Sequence, residues 1–173
     1  RAALAQLLDE TREAADDAAL AGARERLLAT RPTAVNLRWG LARVADRVRA
    51  LPDAERAQAA WDEAARLCDD DVECNRRIGL HAIAWLAEPL ARARAQRRPL
   101  RILTHCNAGP IATLAWGTAL SAVFQLAEQG QPVHVWVDET RPRNQGALLT
   151  AWGGYVLRPE AIALDTKGPP DGR

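Results

Sequence analysis

Three short segments of the 173-residue chain concentrate side chains able to do chemistry. The first is Thr104-His105-Cys106-Asn107-Ala108-Gly109, which follows an apolar run, Leu100, Ile102 and Leu103, that reads as a short buried strand. Pro110 reads as the opening of a helix to about Gln129, stopped by Gly130. A thiol between a strand end and a helix N-terminus sits where backbone N–H groups favour a thiolate, so Cys106 is a candidate reactive residue. The competing reading is a packed structural thiol, since free cysteines are often buried. His105 reads as a hydrogen-bonded structural residue. Asn107 and Gly109 shape the turn, with Gly109 allowing a backbone to approach a ligand.

The second segment, Asp138-Glu139-Thr140-Arg141-Pro142-Arg143-Asn144-Gln145-Gly146, mixes carboxylates, guanidiniums and amides. It follows Val133, Val135 and Val137, whose alternation predicts a second strand. Ligands of open α/β sheets gather at the carboxyl ends of strands, so this loop suits a polar phosphorylated ligand. On composition alone a solvated loop held by local salt bridges is the favoured reading. In the third segment, Arg31-Pro32-Thr33-Ala34-Val35-Asn36, an arginine precedes a helix start, where guanidinium and helix dipole together could hold an anion. Taken alone it is a capped helix. The order G-x-G-x-x-G fails after the first strand, which disfavours nicotinamide and flavin cofactors.

The elements that must position these residues differ between the two ends of the chain. Up to about Arg98 the text is helical. Leu37, Leu41, Val44, Val48 and Leu51 form one stripe of a helix after Pro32. Pro52 and Asp53 end it and begin the next, with Ala57, Ala60, Trp61, Ala64 and Leu67 on its buried face. The acidic triplet Asp69-Asp70-Asp71 suits the start of a third helix carrying Ile78, Ala82, Trp85 and Leu86 inward, kinked or shortened by Pro89. At Pro99 the composition and the period change, marking a domain boundary and a βαβ unit. The boundaries expected are 1–98 for an all-α domain, 99–152 for a partial parallel-sheet domain, and 153–173 for a poorly ordered tail. Ala147 to Trp152 reads as a short helix, and a strand edge is expected to stay open after Val137.

Composition narrows the function classes. With 23 Lys+Arg against 22 Asp+Glu the net charge is +1, which argues against nucleic acid and a membrane surface as partners. No apolar run approaches the roughly 20 residues that span a bilayer. Cys68, Cys74 and Cys106 are odd in number and lack C-x-x-C spacing, so no disulfide framework or zinc site is expected and a reduced, cytoplasmic compartment fits. With no Met anywhere, the chain reads as cut, processed or partial. The six tryptophans read as packing residues, because none flanks a basic run as a base-stacking site would.

In their order, Arg31 to Leu37, Asn75-Arg76-Arg77-Ile78-Gly79, Leu103 to Gly109, Asp138 to Gly146 and Leu149-Thr150-Ala151-Trp152 closely resemble the S-methyl-5-thioribose-1-phosphate isomerases of methionine salvage. That family is related to the regulatory subunits of the guanine-nucleotide exchange factor of translation initiation. The resemblance covers about Thr30 to Trp152 and implies an α/β fold, an all-α N-terminal domain followed by the first βαβ part of an incomplete Rossmann-like domain. It implies a cofactor-free, metal-free aldose–ketose isomerisation of a phosphorylated sugar, and a homodimer when complete. By motif, Cys106 matches the family's active-site cysteine, Arg31 and Gln145 its substrate-binding arginine and glutamine, and Asn107 and Gly109 line the same loop.

The sequence departs from the family at both ends. No Arg-Gly-Ala segment occurs, and Gly153 onward does not match the segment carrying the family's catalytic aspartate. Neither Asp165 nor Asp171 stands in the required motif, so the expectation is little or no turnover from these residues alone. The rival expectations are a non-catalytic regulatory protein of the initiation-factor branch, which the retained His105-Cys106-Asn107-Ala108-Gly109 argues against, and a truncated product without function.

Overall fold

A computed structural model describes residues 17–111, 113–140, 145–151 and 162–165. The fold is α/β, and the chain divides into two compact units, Arg1–Asp70 and Asp71–Arg173.

In the first unit, α1 (Asp17–Thr30) and α2 (Val35–Arg49) precede the start of a long helix, α3 (Asp53–Trp85). The expected stripe of α2 is the buried one: Leu41, Val44 and Val48 are all at most 5% exposed. Val44 and Val48 pack with Ala60 of α3, and Leu41 with Ala23 of α1. Two charged residues that periodicity does not flag are buried on α3. Arg56 donates from Nε to the carbonyl of Leu51 at 2.9 Å and pairs with Asp17 and Asp53, so it takes up carbonyl capacity where α2 ends. Glu63 accepts from Arg66 at 2.6 Å and Arg43 at 3.5 Å. The Arg66 hydrogen bond holds the Glu63 carboxyl below its ordinary value of 4.5, against the opposing effect of burial.

Several expectations for α3 are corrected. The acidic triplet starts no helix but lies inside α3, where Asp70 pairs with Arg66 one turn earlier at 2.6 Å and Asp71 accepts from Asn75 one turn later. No proline interrupts the chain from Asp53 to Trp85, so nothing stops the helix there. The faces also differ. Trp61, Ile78 and Trp85 are 45%, 42% and 89% exposed, while Asn75 and Gly79 face inward. Pro89 sits in the first turn of α4 (Ala87–Ala95), where its missing N–H leaves no helical bond unmade.

The composition change at Pro99 marks the first strand, whereas the compact units part earlier, at Asp70 and Asp71. The reason is packing: Ile83 and Leu86, with Leu90 and Ala93 of α4, join one core with the strands of the second unit. Strands β1 (Leu100–Thr104), β2 (Val133–Val137) and β3 (Ile162–Asp165) form a parallel sheet in the order β1-β2-β3. Leu100, Ile102 and Thr104 stand opposite Val133, Val135 and Val137, so one face of the sheet carries the valines, all at most 3% exposed. They pack with Val123, Phe124 and Leu126 of α5 (Ser121–Glu128). On the other face Trp136 meets His134 edge-on at 4.6 Å and lies 5.9 Å from the Arg101 guanidinium, and Leu103 is 64% exposed rather than buried.

Two further expectations are overturned. β3 lies within the stretch read as a poorly ordered tail and pairs with β2, so the edge of β2 beyond Val137's strand is not open. Helical structure after β1 begins only with a 3-10 turn, Thr118–Leu120, running into α5, and not at Pro110. The intervening chain is held by two glycines, Gly109 and Gly117, with φ of +110° and +69°. The Gly109 N–H donates to the Gly117 carbonyl at 3.2 Å. A β-carbon on Gly117 would lie 2.2 Å from the Gly109 Cα. Gly117 thus packs its main chain directly against that of Gly109.

Candidate functional site

The two loops singled out by composition leave adjacent parallel strands at their carboxyl ends, and they meet. The Asp138 N–H donates to the Thr104 carbonyl at 3.0 Å, which fixes the exit of β2 beside that of β1. Immediately beyond, Asn107 Nδ2 donates to Gln145 Oε1 at 2.7 Å, and Thr140 Oγ1 donates to Asn107 Oδ1 at 2.8 Å. One side-chain amide thus bridges the loops through both its atoms. His105 Nδ1 and Asp138 Oδ2 are 3.5 Å apart at the same strand ends.

Behind the loops, Gly146–Ala151 form a π-helical turn where a short helix is expected. Its Thr150, fully buried, accepts the Ala108 N–H at 3.1 Å and donates to the Cys106 carbonyl at 3.2 Å. From the other side, Asn75 of α3 accepts the Thr118 N–H at 3.0 Å, and Ser121 donates to the Asn75 carbonyl at 2.7 Å. The residues that hold this loop were not singled out as site residues by spacing. Thr150 and Asn75 are polar and buried, so apolar spacing does not select them. Both nevertheless stand in the segments that carry the family resemblance.

Cys106 is exposed, with φ of +85°. Its carbonyl accepts from Thr150 Oγ1 at 3.2 Å and from the Ala108 N–H at 3.1 Å, and the side chain of the next residue, Asn107, is held by Gln145 and Thr140. Helical structure starts only at Thr118, so no helix N-terminus adjoins the Cys106 thiol, contrary to the expectation from Pro110. A non-glycine residue at positive φ costs about 1–2 kcal/mol, and such strain collects at functional loops. Cys106→Gly is accordingly expected to be about 1 kcal/mol more stable than Cys106→Ala, which keeps the strain without the thiol. Urea denaturation of the two variants checks this, and equal midpoints would remove the strain argument.

The structure brings together Asn107, next to Cys106, and Gln145, and buries Gly109 against Leu120 and the Leu149–Thr150 main chain. Arg31 belongs to the first unit, where it is exposed in the turn between α1 and α2. α2 begins at Val35 rather than at Pro32, and its cap residue Ala34 offers no side-chain acceptor to the first-turn N–H groups. Among the described residues no three His, Cys, Asp or Glu side chains group as metal ligands, and no helix is long and apolar enough to cross a membrane.

Residues 2–154 match the Initiation factor 2 subunit family. The chain belongs to that family. A methylthioribose-1-phosphate isomerase of Rhodospirillum rubrum is 52% identical over 140 residues, 79% of this chain and 36% of that protein. One of Acidiphilium cryptum is 53% identical over 154 residues, 88% of this chain and 41% of that protein. This chain therefore spans well under half the length of these relatives. Of solved structures, 5-methylthioribose 1-phosphate isomerase from Pyrococcus horikoshii OT3 superposes with a TM-score of 0.72 at 36% identity, over 95% of this chain and 46% of that one. Translation initiation factor eIF-2B, subunit delta, from A. fulgidus gives 0.69 at 33% identity, over 95% and 47%. The Initiation factor 2 subunit fold is thus shared by chains whose names denote an enzyme and a translation factor.

Proposed function

We propose that the chain carries the phosphosugar-binding loops of a cofactor-independent isomerase that converts 5-methylthioribose 1-phosphate to 5-methylthioribulose 1-phosphate in methionine salvage. The single observation that supports this most is the Asn107–Gln145 hydrogen bond beside exposed Cys106. It joins two strand-end loops in a chain 52% identical to a protein of that name. The complete protein acts in the cytoplasm as a homodimer under this proposal.

The substrate's phosphate sits on the anomeric carbon, so its ring does not open as freely as that of an ordinary aldose. Ring opening must be assisted before hydrogen moves from C2 to C1, which calls for acid–base help and for stabilisation of developing charge. Cys106 supplies the group closest in kind to that need, held at the loop surface. Because the Gln145 carbonyl accepts from Asn107, its NH2 is left as the donor end, suited to a sugar hydroxyl or a phosphate oxygen. Arg31 is assigned the permanent positive charge for the phosphate, through the family correspondence and the planar, forked donor geometry of its guanidinium. Gly109 keeps the loop's shape. No carboxylate in this sequence stands in the motif of the family's aspartate, so the reading assigns these residues substrate binding, with little or no turnover by the chain alone.

Calorimetry of the chain with 5-methylthioribose 1-phosphate tests the proposal. Saturable binding is expected, weakened about tenfold or more by Gln145→Ala, the loss of one charge-assisted hydrogen bond. No binding, or binding indifferent to Gln145→Ala, would count against it. A non-catalytic regulatory protein is the second reading, favoured by the likeness to the A. fulgidus subunit. On this second reading the chain would bind no phosphosugar at these loops.

A further inference from the structure

We propose that Glu139 is a positioning residue that clamps the base of the second loop and thereby sets Gln145 and Thr140 on Asn107. The inference rests on the phosphosugar reading for its functional consequence but on the loop's own geometry for its mechanism. One oxygen of Glu139, Oε1, accepts the N–H of Thr140 and the N–H of Gly146, both at 2.8 Å. A single acceptor thus ties together the two ends of the segment between β2 and the π-helical turn.

Each tied amide belongs to, or directly follows, a residue that contacts Asn107. Thr140 itself places its hydroxyl on Asn107 Oδ1, and Gln145, which directly precedes Gly146, accepts from Asn107 Nδ2. The clamp closes tightly: a β-carbon on Gly146 would lie 2.3 Å from the Asp138 carbonyl oxygen and 3.0 Å from the Glu139 Cα. Both sides of the clamp are anchored in turn. Asp138 is bonded to Thr104 at the end of β1, and Thr150 of the turn is bonded to Ala108 and to the Cys106 carbonyl. Removing the carboxylate frees two backbone N–H groups and releases both loop ends, while the sheet and its core keep all their contacts. Backbone bonds to a carboxylate are among the stronger hydrogen bonds, so the effect at Thr140 and Gly146 is large for one side chain.

The test compares Glu139→Ala, Glu139→Asp and Glu139→Gln in the full chain. Amide exchange at Thr140 and Gly146 is followed by NMR, affinity for 5-methylthioribose 1-phosphate by calorimetry, and fold by thermal melting. Glu139→Ala is expected to speed exchange at Gly146 about tenfold or more and to weaken binding to a similar degree. Glu139→Asp, one methylene shorter, reaches only one of the two N–H groups and falls between, which keeps the test intact should the alanine variant not fold. Glu139→Gln offers a carbonyl at the same place and restores slow exchange and most of the affinity. Unchanged exchange in Glu139→Ala would overturn the clamp. Slow exchange with lost affinity in Glu139→Gln would overturn it differently, showing that the charge acts on the ligand directly. If the wild-type chain binds no phosphosugar, the functional reading falls, and the exchange rates still decide whether Glu139 holds the loop.

Discussion

Replacing Gly117 by alanine is expected to cost about 3–4 kcal/mol of folding stability, the sum of a positive-φ penalty and a backbone clash. Its φ of +69° is one that side chains with a β-carbon adopt at a cost. The larger part is steric: the new β-carbon would lie 2.2, 2.4 and 2.7 Å from the Cα, C and N of Gly109. Main chain cannot rotate away as a side-chain tip can, so the segment between β1 and α5 has to open. Gly109→Ala is the control. There the nearest atom is a Leu120 methyl at 3.4 Å, and only the conformational penalty applies. Urea denaturation should rank Gly117→Ala well below Gly109→Ala. Equal losses would mean that the two glycines do not touch as described.

A second large effect is expected at Gly79, where alanine should destabilise the second unit by about 3 kcal/mol despite gaining about 1 kcal/mol of helix propensity. The β-carbon would fall 2.2 Å from Gln125 Nε2, 2.4 Å from Ser121 Oγ and 2.9 Å from the Ser121 carbonyl carbon. Neither polar side chain is free to leave. Ser121 donates to the Asn75 carbonyl at 2.7 Å and Gln125 to the Arg76 carbonyl at 2.8 Å, so displacing them leaves buried groups unpaired. Gly40→Ala, with nothing within 4 Å of its β-carbon, should instead be stabilising by up to about 1 kcal/mol. Thermal unfolding of the pair gives opposite signs if α3 and α5 cross at Gly79 as closely as described. A stabilised Gly79→Ala would contradict that.

What the sequence makes legible follows the reach of apolar periodicity. The α2 stripe and the alternation Val133, Val135, Val137 are found as expected, because burial there is carried by hydrophobic side chains on one face. The inward face of α3 near its end is different. Asn75 and Gly79 are chosen for hydrogen bonding and for close approach, so a search for apolar spacing selects Ile78 and Trp85 instead, and these are exposed. Pro110 signals a helix start that tertiary contacts between Gly109 and Gly117 delay to Thr118. β3 escaped because four residues, Ile162–Asp165, between a glycine pair and a proline-rich end carry too little pattern to read as a strand.

The loops were legible for a different reason. Strand ends of a parallel sheet are where ligands gather, and that rule alone selected His105 to Gly109 and Asp138 to Gly146. Their side chains do meet, through Asn107 and Gln145. The clamp by Glu139 and the support by Thr150 were not legible, since a carboxylate in a charged loop and a threonine in a short apolar run each have bland readings.

The central claim is that a phosphosugar binds against Cys106, and its most direct test is protection of that thiol from alkylation. The chain is treated with iodoacetamide with and without saturating 5-methylthioribose 1-phosphate, and each cysteine is followed by mass spectrometry. Cys74, exposed like Cys106, is the internal reference, and half-buried Cys68 a second one. The account predicts that the ligand slows alkylation of Cys106 about tenfold or more while the rates at Cys74 and Cys68 stay unchanged, as expected for occupancy of a local site. An unchanged Cys106 rate at a ligand concentration that saturates any calorimetric binding would contradict it.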